Sequence, residues 1–390
     1  MTPLLASIVF NAFNHMAFSG MRLAVALDTI QLGASSALVG FITALFAILP
    51  AIGSIFMGRY IDRNGSRIPM MICPALLAGS PLLLAFFPNY YTLAIAGLLT
   101  GGSFITLHIV NQQIVGRLST PQDRSANFAI LATWIAASQA ISPALTGFLI
   151  DHVGFRWAFA FLSAIPVLSL LYFRRKLPRL QGKTPSAKAA ATGSVIELLR
   201  NPKLKRVYLV SVMFATSWDV FLFMTPLYGA SLKLSASQIG VIIACFSSAT
   251  FVVRLLARPV SRRYTAWQVL LVSLLVNGVA NLAFGLSGLM SLLLFSAFVM
   301  GLGHGLANPM MNTLLYEASP PNRIAEVLGL RTSASMGLQV TMPILAGALG
   351  SLIGVAPLFW LVAAMQVGGA YSARGNWRLG RRSETAKPPD

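Results

Sequence analysis

The residues in this chain that could do chemistry are few, and each lies in an apolar stretch. Asn11, His15, Ser19 and Arg22 recur at helical spacing near the start. At about 100° per residue they share an arc of roughly 80°. His108, Asn111 and Gln112 share one arc in the same way, as do His304, Asn308 and Asn312, while Trp218 and Asp219 stand side by side in a fourth stretch. Imidazoles and a carboxylate can exchange protons, a guanidinium offers a planar cationic fork, and amides donate and accept together. The chemistry this suggests is proton, anion and polar-solute handling inside a low-dielectric medium. Hydrolysis is not suggested, because there is no Gly-x-Ser-x-Gly elbow and no His-Glu-x-x-His pair. The histidines are flanked by amides rather than acids or cysteines, which argues against a metal or haem site. Gly182-Lys183-Thr184 has Leu177 where a phosphate loop needs glycine, so no nucleotide site is expected. A competing reading makes these polar groups interhelical hydrogen bonds in a dry bundle. It competes strongly at Asn11 and Asn312, and less at Arg22 and Asp219, where a charge needs a partner or water.

The elements that must carry these residues are membrane helices. Of 390 residues, 56% are hydrophobic and 10% charged, and the mean hydropathy is +0.73. A soluble chain is about 25% charged. Apolar stretches of bilayer-spanning length, about 20 residues, are expected near 4–28, 35–57, 68–88, 90–116, 124–150, 154–173, 206–229, 237–258, 267–287, 289–316, 324–349 and 352–372. The class is all-α integral membrane, with twelve spans. A net charge of +19 would suggest nucleic acid in a soluble chain, but here its distribution follows topology. With the N-terminus cytoplasmic, inward loops collect Arg59, Arg63, Arg67, Arg117, Arg124, Arg258, Arg262, Arg263 and Arg323, whereas outward loops hold only Arg156 and Lys233. This bias predicts a multi-pass protein of the inner (cytoplasmic) membrane with both termini cytoplasmic and anionic lipid as a neighbour. The first stretch lacks a basic leader and a small-residue cleavage site, so it is expected to be retained. Cys73 and Cys245 lie in different apolar stretches and predict buried small hydrophobes rather than a disulfide.

The chain also repeats itself at an offset of 200 residues. Gly40, Ala44 and Phe46 match Gly240, Ala244 and Phe246, and Gly101 matches Gly301. Gln139, Pro143, Leu145, Gly147 and Gly154 match Gln339, Pro343, Leu345, Gly347 and Gly354. The expected domains are a six-helix half over 1–173, a basic cytoplasmic linker over 174–205, a second half over 206–373 and a cytoplasmic tail over 374–390. Within the linker, 194–200 predicts a short amphipathic surface helix with Ser194 as its cap and Glu197 three residues on.

Between the second and third apolar stretches lies Gly58-Arg59-Tyr60-Ile61-Asp62-Arg63-Asn64-Gly65-Ser66-Arg67, expected to be a tight turn at the membrane surface. Its Gly58, Asp62, Arg63, Gly65 and Arg67 match the pattern Gly-x-x-x-Asp-Arg-x-Gly-x-Arg. This resembles the loop after the second helix in transporters of the major facilitator superfamily. The resemblance implies twelve helices in two six-helix halves related as parallel repeats, with helices 1, 4, 7 and 10 around a central path. It implies no enzyme and no cofactor. It implies secondary transport of a small organic solute by alternating access, with H+ as coupling ion and a functional monomer. Asp219 would be the titrating carboxylate, His304 its relay, and Arg22 a group that attracts a substrate anion or pairs with Asp219. The decapeptide would latch the cytoplasmic side, with Arg117 or Arg124 near Asp62 and Arg63. One alternative is efflux of amphipathic drugs by H+ antiport, favoured by Trp134 and Trp218. Ser138-x-x-x-Ser142-Pro143-x-x-Thr146-Gly147 only partly resembles the antiporter motif of drug exporters, matching at Pro143 and Gly147. The other alternative is a non-transporting membrane sensor or enzyme.

Overall fold

The computed structural model describes residues 3–120, 123–176, 195–320 and 323–377. Most of the expected linker and tail, the Ser194 cap, and the side chains of Asp62, Arg124 and Arg258 lie outside the described residues. Among the described residues the chain is helical, with no strand. In lipid every backbone N–H and C=O must find a partner within the segment, and a helix does this without help from a neighbour. The helices are α1 Pro3–Gln31, α2 Ser36–Asn64, α3 Arg67–Phe86, α4 Tyr90–Leu118, α5 Arg124–Lys176, α6 Val195–Arg200, α7 Pro202–Ser231, α8 Ala236–Leu255, α9 Ala257–Arg263, α10 Ala266–Leu286, α11 Met290–Ala318, α12 Ile324–Ile353 and α13 Ala356–Ala373.

Ten of these are long and apolar enough to cross a membrane. The apolar segment of α5, 49 residues long, is about twice the ~20 residues of one crossing. It bends at Gly154, where φ is +80°, into arms over 124–153 and 155–176 that the sequence predicts as two spans. With α13, an 18-residue apolar helix, the count reaches the expected twelve. Short polar junctions fix the helix starts: Asn89 with Thr92, and Thr265 with Gln268, form reciprocal capping boxes.

Two boundaries differ from expectation. The decapeptide is not a turn throughout: α2 runs on through Asn64, and only Gly65, at φ +82°, and Ser66 reverse the chain. Charged side chains do not end a helix that is leaving the bilayer, and Arg63 in the last turn suits the negative end of the helix dipole. In the second half the span expected over 237–258 stops at Leu255, and α9 begins two residues later. Pro259 has no N–H to continue the ladder back to Leu255, which accounts for the break.

The helices group into two compact units. The first holds α1–α5 together with Phe223–Ala244 and Pro343–Leu352. There α1 and α3 lie on α5, and α4 packs against α1, α2 and α3. The repeated glycines prove to be contact points. Gly40 lies on the Pro343 carbonyl and its counterpart Gly240 on the Pro143 carbonyl; Gly147 lies on Ala236 and its counterpart Gly347 on Ser36. A Cβ at any of the four would collide with backbone. The second unit holds α6, α7 up to Leu222, Cys245–Met342 and α13. Here α10 packs on α11 and α13, around a core that includes Leu204, Phe214, Leu270, Leu274, Met310 and Leu315.

Candidate functional site

In the first unit, α1 and α4 bring their polar groups to one another and to α5. His15 is buried, and its Nδ1 lies 2.7 Å from Ser138 Oγ. That hydroxyl also sits 2.7 Å from the Ile135 carbonyl, and a hydroxyl has one hydrogen to give. With the hydrogen spent on Ile135, His15 Nδ1 carries a proton and donates to Ser138. The residues with partial likeness to an antiporter motif thus serve as a seam to α1: Ser138 holds His15, and Ser142 Oγ donates to the Met16 carbonyl at 2.6 Å. Phe104 links the two histidines, with ring centroids 5.2 Å from His15 and 5.8 Å from His108. His108 Nε2 lies 2.9 Å from the Gln112 amide nitrogen and accepts from it, while His108 Nδ1 is buried without a hydrogen bond. Asn111 accepts from Ser7 Oγ at 2.6 Å and donates to the Leu107 carbonyl at 2.9 Å. Asn11, and Asn14, which the sequence reading passed over, are fully buried with amides that make no hydrogen bond. Arg22 is half-buried, within electrostatic reach of His15, and engaged.

In the second unit Asp219 lies mid-way along α7 and is only 4% exposed. Beside it Trp218 sets its ring edge-on to Phe246 at 4.9 Å and lies 5.7 Å from His304. Phe214 and Phe246 close on the His304 ring at 5.4 Å each, which makes an aromatic box around it. His304 Nδ1 is 3.0 Å from the Met300 carbonyl and Nε2 is 3.2 Å from the Phe214 carbonyl. A neutral imidazole has one N–H to offer those two acceptors. Below His304 on the same helix, Asn308 Oδ1 accepts from Arg331 Nη2 at 2.6 Å, and Asn312 Oδ1 accepts from Arg331 Nη1. Arg331 belongs with these two amides and was absent from the sequence-predicted set. It reaches them from the next helix, 23 and 19 residues away, so no periodicity within one helix links them.

Two further features escaped the sequence reading. Asn281 Nδ2 donates to the Asn277 carbonyl at 2.9 Å and to Ser217 Oγ at 3.3 Å, a buried knot reached also by Gln366 Oε1 at 3.4 Å. At the bend of α5 the Asp151 carboxylate straddles the start of α8, accepting from Ala236 N at 3.0 Å and Ser237 N at 2.7 Å. A carboxylate on the exposed amides of a helix start is well matched to the positive end of the dipole. A signal was present in the sequence, an acid just before the bend glycine, but nothing in it named the partner helix. A cleft of about 430 Å³ near the start of α7, lined by Arg206, Met213 and Ser372 among others, shares no residue with either polar group.

The model of the Major Facilitator Superfamily matches residues 5–235 and 207–373 of the chain. Among similar proteins, Solute carrier family 67 member A1 of Homo sapiens is 26% identical over 350 residues, covering 84% of this chain and 81% of that one. The Multi-drug resistance efflux pump PmrA homolog of Lactococcus lactis subsp. lactis (strain IL1403) is 24% identical over 340 residues, covering 83% and 82%. Among solved structures, the peptide transporter POT in complex with sulfate aligns with a TM-score of 0.81 at 16% identity, covering 97% of this chain and 95% of that one.

Proposed function

The chain belongs to the major facilitator superfamily, and from that premise we propose that it carries a small organic solute across the membrane by alternating access, coupled to H+. It is a membrane transporter and not an enzyme. The observation that carries the coupling is Asp219, a buried acid at the centre of a membrane-spanning helix. A carboxylate at that depth is tolerable when protonated, solvated or paired, and exchange among those states is what coupling requires. His304, boxed by aromatic rings with carbonyls at both nitrogens, serves as the relay. Asn11, His15, Arg22, His108, Asn111 and Gln112 form the first-half share of the path, and Trp218, Asn308 and Asn312 complete the second-half share. Gly58, Asp62, Arg63, Gly65 and Arg67 gate the cytoplasmic side. The contacts of Gly40, Gly147, Gly240 and Gly347, together with Asp151 on α8, close the outward end and must part when access alternates. The protein resides in the cytoplasmic membrane with both termini inside.

Proteoliposomes loaded with a pH-sensitive dye test this. Amino acids, nucleosides, organic acids and lipophilic cations are added in turn, and the transported class moves the internal pH. Asp219→Asn is expected to abolish that pH change and accumulation against a gradient while preserving solute exchange. A variant that still concentrates solute under a pH gradient removes Asp219 from the mechanism. A second reading, export of amphipathic compounds, is favoured by the aromatic box and by the efflux-pump names of relatives. A lipophilic cation as the one active class would select it.

A further inference from the structure

Arg331 stands two turns into α12, inside the apolar segment Glu326–Ile353. Its guanidinium is held from α11 by Asn308 Oδ1 at 2.6 Å and by Asn312 Oδ1. Both partners are neutral, and no carboxylate pairs with Arg331 among the described residues. A guanidinium has five N–H donors in a planar fork, so two bonds to amides leave about three donors unused. The amides orient the fork without cancelling its charge, and a cation at membrane depth needs an anion or water. Asn308 and Asn312 are exposed and Arg331 between them is half-buried. The repeat sharpens the point. Two hundred residues earlier the same two positions are His108 and Gln112, which bond each other at 2.9 Å and hold no cation. In the first half the two side chains bond each other, and in the second half they hold a charge.

We propose that Arg331, oriented by Asn308 and Asn312, binds the anionic oxygens of a carboxylate or phosphate group on the transported solute. This rests on the transport reading above. It places anion recognition on α12 rather than on Arg22, which is engaged. The fork geometry suits two parallel charge-assisted hydrogen bonds, and a lysine could not reproduce them. An anionic lipid headgroup offers the same oxygens, so the test separates the two sources.

The full chain is purified in a neutral detergent, and its melting temperature is followed with benzoate, phenyl phosphate or the uncharged benzamide. The wild type should be stabilised by the two anions and not by benzamide. Arg331→Gln, which keeps an amide for the two asparagines, should lose the response relative to its own baseline. Arg331→Lys and the Asn308→Ala/Asn312→Ala pair should bind about ten- to a hundredfold more weakly. An undiminished response in Arg331→Gln, or none in the wild type, overturns the proposal. So does Arg331-dependent stabilisation by phosphatidylglycerol over phosphatidylcholine nanodiscs with no benzoate response, which assigns the site to lipid. Binding is read without transport, so anion binding that needs Arg331 stands even where proteoliposomes move nothing, and that result would count against the transport reading alone.

Discussion

At the scale of single residues, the polar groups divide by whether a neighbour satisfies them. Asn111 is satisfied on both sides and ties α1 to α4. His304 is poised differently, since its two nitrogens face two carbonyls. Those carbonyls belong to helix ladders, so losing the imidazole strands no backbone group. His304→Phe keeps the ring packing against Phe214 and Phe246 and removes both nitrogens. Its stability cost is expected to be on the order of 1 kcal/mol, read by thermal melting. Proton-driven accumulation should fall while solute exchange persists. Unchanged accumulation would leave His304 as packing alone.

At the scale of elements, the seam of α5 with the start of α8 is built on backbone-to-backbone contact. Gly240 on α8 rests on the carbonyl of Pro143 in α5, and that oxygen cannot yield as a flexible side chain would. Gly240→Ala should therefore disfavour this arrangement by about 1–3 kcal/mol. Asp151→Ala should act in the same direction, by removing the acceptor of two helix-start N–H groups. Spin labels at the exposed Val153 and Lys233 report the separation of α5 from the α8 start. Both variants should shift the distance distribution toward longer values, and an unchanged distribution in either would show that its contact does not hold the ends together.

At the scale of the whole molecule, the distribution of basic residues predicts the orientation in the membrane. Arg323 is tied by Glu326 and Glu197, each at 2.8 Å, and these acids push its guanidinium still higher than its ordinary value, so it stays charged. This pins a cation between α6 and α12 on the face where basic residues collect. Reporter fusions check the orientation. A fluorescent protein fused after Asp390 should light up, and alkaline phosphatase fused there should be inactive. A phosphatase fused after Leu234 should be active. The reverse pattern would invert the topology and move Asp151 to the cytoplasmic side.

Much of this protein was determined by its sequence alone. The number of crossings, the repeat and the charge bias were readable because in lipid each helix satisfies its own backbone, so composition over about 20 residues is enough. The repeated glycines were readable as a pattern, though not as contacts. Tertiary structure decided which polar groups meet. Ser138 reaches His15 across 123 residues, and Asp151 reaches Ala236 across 85. Arg331 joins Asn308 and Asn312 only because α12 turns that face toward α11. Periodicity places a side chain on an arc of its own helix. Which arcs face each other depends on small residues that let backbones approach and on the bend at Gly154, and those constraints exist only once the helices pack.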